Sequence, residues 1–138
     1  MTIALSVKRI ADSIYARSAL DAAQKGIDIP AALTRRHDKA LRRVIYDVIA
    51  EVVASLGCKV LSCDISEAQE AGADIVNVDY AVDHADAEVA CLRINIETAI
   101  VCSTLARLST DTPALAQWYA ALARLSDRSL PTRIKRSC

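Results

Sequence analysis

With 138 residues, 53% of them hydrophobic, and only three Gly and three Pro, the chain suits one domain of long regular elements whose core needs no disulfide or metal staple. Its 17 Lys/Arg balance 17 Asp/Glu, which speaks against a dedicated nucleic-acid binder, since such domains are normally basic overall. The zero balance hides three blocks: residues 1–56 carry nine cations against six acids, 57–90 carry one against eight, and 91–138 carry seven against three.

In chain order, Ile3, Val7, Ile10 and Ile14 fall at helical spacing and predict a first helix over about 3–24, closed by Gly26. A loop over 26–30 follows, and Thr34 is placed to cap a second helix running to Gly57. Along it Leu41, Val44, Ile45, Val48, Ile49, Val52, Val53 and Leu56 form one unbroken apolar stripe. The pattern then shifts to period two over 58–65 and 75–82, which predicts two strands joined by the acidic segment 66–73 as a long-looped hairpin. For 58–65 a ragged helix end is the alternative.

Asp83 is placed to cap a third helix over about 85–108, with Asp86 and Glu88 in its first turns and Arg107 in its last. Val89, Leu92, Ile96, Ile100 and Leu105 make its main face, and further apolar residues around it predict the central helix of the domain. Thr112-Pro113 opens a fourth helix bearing Leu115, Trp118, Tyr119, Leu122 and Leu125, with Trp118 assigned to the core and a partner-facing Trp118–Tyr119 pair as the alternative. The expected architecture is mainly α: a four-helix bundle-like single domain over 1–131, a short β-hairpin between helices two and three, and a basic tail over 132–138.

Little in the chain points to catalysis. Cys58, Cys63, Cys91, Cys102 and Cys138 are odd in number and lack zinc spacing. Cys91 and Cys102 read as small core residues on the third helix. Neither His37 nor His84 lies in a Cys–His signature, and Ser-centred elbows, Walker loops and dinucleotide glycine fingerprints are missing. Asp79, Asp83, His84, Asp86 and Glu88 gather acids without the spacing of a calcium loop. The expectation is a non-enzyme with no catalytic residue, cofactor or metal. Early charges at Lys8, Arg9 and Asp12 argue against a signal peptide, and the nearly uncharged apolar stretch Thr98–Ala106 is too short to span a bilayer. A soluble, cytoplasmic protein is expected.

The charge blocks are the remaining functional signal. Arg35, Arg36, Lys39, Arg42 and Arg43 crowd the start of helix two, where the helix dipole does not favour cations. Beside the bland reading as a solvated face, this placement suggests a protein interface or phosphate contact. Asp64, Glu67, Glu70 and Asp74 are the complementary acids, and opposed fields of this kind suit self-association.

Three stretches resemble the small head–tail connector, or neck, proteins of tailed bacteriophages and prophages: the helix Asp38–Leu56, the passage from Ile75–Tyr80 into Ala87–Leu108, and Ala116–Leu125 followed by Leu130–Arg133. The resemblance implies a structural protein that stacks as a homo-oligomeric ring, located in the virion if phage-derived, with other assembly proteins as partners. The acidic segment 64–74 and Cys138 fall outside it. The alternative is a small helical nucleic-acid-binding regulator using Arg35–Arg43.

Overall fold

The structure, a computed structural model, describes residues 2–26, 28, 34–56, 60–80, 86–108, 117 and 119–122. Its elements are β1 (Thr2–Ser6), α1 (Val7–Lys25), a 3-10 turn (Arg35–His37), α2 (Asp38–Ser55), β2 (Val60–Cys63), α3 (Ile65–Ala71), β3 (Ile75–Tyr80) and α4 (Asp86–Leu108). Residues 117 and 119–122 are also helical.

The fold is mostly helical, as the composition predicts, but a four-helix bundle does not describe it. A three-stranded antiparallel sheet in the order β1-β3-β2 contributes to the core. The helix expected over 3–24 is therefore two elements. Ile3 and Leu5 are buried while Thr2 and Ala4 are exposed, a period-two pattern that the helical spacing of Ile3, Val7, Ile10 and Ile14 conceals. Ser6 ends the strand and caps the helix, its Oγ accepting from Arg9 N at 3.2 Å. Gly26 closes α1 in the left-handed region at φ 63°, donating to Ala22 and Ala23 carbonyls.

The expected hairpin is corrected in the same way. Strands β2 and β3 do pair, but the segment between them is the helix α3, and β3 lies between β2 and the N-terminal strand β1. Period-two patterning identifies β3; it carries no information that its second edge is filled by residues 69 to 77 positions upstream. Val76, Val78 and Tyr80 point into the core beside Ile3 and Leu5.

The β1–β3 ladder also explains a side chain. Val7 N–H donates to Asp74 O at 2.8 Å, in register with the pairs from Thr2↔Asp79 to Ser6↔Ile75. Bonded and non-bonded pairs alternate in an antiparallel ladder, so the main-chain groups of Thr2, Ala4 and Ser6 point away from β3. At the end of this free edge Ser6 N–H finds Glu97 Oε1 at 3.5 Å. Glu97 in turn receives Arg9 Nε at 2.9 Å and Nη2 at 2.5 Å, tying α1 to α4.

Helices α1, α2 and α4 pack pairwise on one another; α4 also meets β1, and α3 meets α2 and β3. Leu41, Ile45, Val48, Ile49, Val52, Val53 and Leu56 are buried as the stripe on α2 requires. On α4, Ile96, Ala99, Ile100 and Leu105 are fully buried, whereas Val89 and Leu92 are only partly so. Its Val89–Leu108 segment is long and apolar enough to cross a membrane by length and composition, a longer run than the Thr98–Ala106 stretch suggests. In the fold 44% of its most apolar window is buried, with Ile96, Ala99, Ile100 and Leu105 facing the core that α1 and α2 share. Cys102 is buried, but Cys91 is exposed and is not the core residue expected. Tyr119 is buried and its hydroxyl donates to Asp21 of α1. Trp118, the caps Asp83 and Thr112, His84, Cys58, Cys138 and the tail 132–138 lie outside the described residues.

Candidate functional site

The five cations at the start of α2 divide into two groups. Arg35 lies over the Tyr15 ring, 4.6 Å from its centroid. Arg42 Nε donates to Asp38 Oδ2 at 2.9 Å, one turn back on the same helix, and Tyr15 Oη donates to Asp38 Oδ1 at 2.6 Å. These contacts join α1 to α2. The Tyr15 hydrogen bond, with help from Arg42, holds the Asp38 carboxyl below the usual range. Burial and the same carboxylate push the Tyr15 phenol up to about 12. Arg35 and Arg42 therefore serve the fold.

Arg36, Lys39 and Arg43 do not. All three are exposed and none makes an ion pair among the described residues. Lys39 and Arg43, four residues apart, share one face of α2, and Arg36 precedes them in the 3-10 turn that leads into it. The crowding of cations at a helix start is thus partly explained by Asp38, which sits in the first turn of α2 and offsets the dipole there.

The acids divide likewise. Asp64 accepts from Asn77 N at 2.7 Å and from Asn77 Nδ2 at 3.1 Å, pinning the turn between β2 and α3 onto β3. Asp74 Oδ1 accepts from Lys8 N at 2.7 Å and Oδ2 from Ser6 Oγ at 3.0 Å. It supplies from across the fold the acid that the first turn of α1 lacks. Glu67 and Glu70, exposed on α3, form no ion pair among the described residues. Of the nine residues singled out by charge alone, the structure assigns four to internal contacts and leaves Arg36, Lys39, Arg43, Glu67 and Glu70 facing water.

Beside the free cations lies a small apolar groove of about 250 Å³, lined by His37, Ala40, Leu41, Val44 and Leu108. It is smaller than the roughly 300–1,000 Å³ of small-molecule sites and takes one or two side chains. Ala40, one turn from both Arg36 and Val44, connects the groove to the charged face.

Other clusters serve structure. Asp79 on the central strand accepts from Thr2 on one neighbour and from Ser62 Oγ, at 2.9 Å, on the other, and these hydroxyls hold its pKa low. Cys63 is partly buried, and burial pushes its thiol up, away from the reactive thiolate. Among the described residues no group of three or more His, Cys, Asp or Glu is placed to hold a metal ion. Sequence reasoning missed the Asp74 cap and the Glu97 link because each joins segments 66 to 91 residues apart. No family model, curated protein or solved structure matches this chain.

Proposed function

We propose that the protein is a non-enzymatic assembly module in which Arg36, Lys39 and Arg43 of one copy meet Glu67 and Glu70 of the next. The observation that carries this reading is the division of each charge block into residues bonded within the fold and residues left exposed. The two surplus sets are of opposite sign and sit on different elements. A contact joining two different patches is heterologous, and repeated it gives a ring or a filament. The resemblance to phage head–tail connectors agrees with a ring, acting in a virion or, outside that setting, in the cytoplasm with other assembly proteins.

A second reading draws on the same cations. Arg36 in the 3-10 turn, with Lys39 and Arg43 on one face of α2, suits contact with nucleic-acid phosphates, which would position a duplex without reading its sequence. Reversal of Arg36 and Arg43 to Glu separates the two. Arg42 is left intact because its loss would also unpair Asp38. Under the assembly reading, light scattering shows wild-type association that weakens with added salt, as exposed charges are screened beyond about 8 Å at physiological ionic strength, and the double variant is monomeric. Under the nucleic-acid reading, the double variant loses retention of a DNA duplex at low salt and keeps the wild-type mass. A wild type that stays monomeric at high concentration contradicts the assembly reading.

A further inference from the structure

Charge alone gives a contact little strength, because exposed ion pairs are screened by water and salt and cost side-chain entropy to hold. A lasting interface needs a desolvated apolar anchor near its centre. Both halves of such an anchor are present, one beside the free cations and one in the strand–turn–helix stretch that carries the free acids.

Leu61 is the first half. In the β2–β3 pairing Val60 faces Tyr80 and Ser62 faces Asp79, so Leu61 is the extra residue of a bulge. On this edge strand it is 69% exposed, more than Leu20, Ile75 and Ile94, the other exposed large apolar residues among the described residues. It stands six residues before Glu67, in the continuous strand–turn–helix stretch that carries the free acids. A bulge turns a side chain away from the ladder, and here it directs a leucine into water.

The groove of His37, Ala40, Leu41, Val44 and Leu108 is the second half. It is apolar, open, of side-chain size, and flanked by the free cations. An apolar side chain on one surface and a matching slot elsewhere on the same molecule define a heterologous contact. We propose that Leu61 of one copy inserts into the His37–Leu108 groove of the next, while Glu67 and Glu70 meet Arg36, Lys39 and Arg43 around it. The occupant is a second copy of this chain because the acids that follow the leucine in the same strand–turn–helix stretch complement the cations beside the groove. This inference rests on the assembly reading above and adds its anchor.

Two variants test it. Leu61→Asp breaks the leucine and leaves the groove; Ala40→Trp blocks the groove from an exposed position and leaves the leucine. Each alone is expected to weaken self-association at least about tenfold, the effect of losing a central interface residue, with a thermal melt unchanged from wild type. Mixed in equal amounts, they are expected to form a 1:1 dimer that grows no further, since only Leu61 of the Ala40→Trp chain and the groove of the Leu61→Asp chain remain intact. Size-exclusion chromatography with light scattering reads the masses. If both variants assemble like the wild type while charge reversal abolishes assembly, the anchor is wrong and the charged contact stands. If each variant alone is monomeric and the mixture also stays monomeric, Leu61 and the groove do not meet each other. A wild type that never associates overturns the anchor together with the assembly reading.

Discussion

The start of α2 and the stretch from β2 to β3 look alike in sequence, each a cluster of one charge sign, and the fold treats them alike. At the start of α2, Arg35 and Arg42 are engaged by Tyr15 and Asp38; around α3, Asp64 and Asp74 are engaged by Asn77, Lys8 and Ser6. In both regions the engaged charges lie where chain segments meet, and those left over lie on the faces of helices. A charge block in sequence thus serves two purposes, and only tertiary partners separate them.

The scale for that comparison is set by the apolar core on which both regions rest. Ile49 and Ile96 are each 0% exposed, and replacing either by Ala is expected to cost about 2–5 kcal/mol in a denaturant melt. A loss below about 0.5 kcal/mol at both positions would remove α2 and α4 from the centre of the core.

Within the acidic region, Asp74→Ala is expected to cost about 1–3 kcal/mol, through the lost cap of α1 and an unpaired Ser6 hydroxyl. Glu70→Ala is expected to fall within about 0.5 kcal/mol of wild type, as an exposed residue with no ion pair among the described residues should. Equal effects in the same melts would erase the distinction between engaged and surplus acids.

In the basic region the sharper probe is titration. The Tyr15 phenol is held up to about 12 from an ordinary 10.0 by burial and Asp38. A raised folded-state pKa gives stability that is full below the unfolded value and lost as pH rises, so this contribution fades between about pH 10 and 12. Asp38→Asn is expected to bring the Tyr15 phenolate absorbance transition down towards its ordinary range. An unmoved transition would show that Asp38 does not act on Tyr15.

What was legible in the sequence follows the range of each signal. The stripe from Leu41 to Leu56, the Gly26 cap and the alternation of β3 are local patterns, and each forms. Strand β1 was hidden because Ile3 and Val7 satisfy helical spacing as well as strand alternation, and only its pairing with β3, some 70 residues on, decides between them. The same distance kept Asp74 from being read as a cap: its partners are Ser6 and Lys8. The five surplus charges stand out in the sequence as members of their blocks, but nothing local distinguishes Arg43 from Arg42 or Glu70 from Asp74.

The central claim is that the charges left over by the fold join one copy to the next, and a charge exchange tests it most directly. One variant carries Arg36, Lys39 and Arg43 reversed to Glu; another carries Glu67 and Glu70 reversed to Lys. Sedimentation velocity is expected to show each alone as a monomer, since each presents like charges to its own copies, and the equal mixture as an assembly of alternating chains. A mixture that stays monomeric under conditions where the wild type assembles would contradict the account.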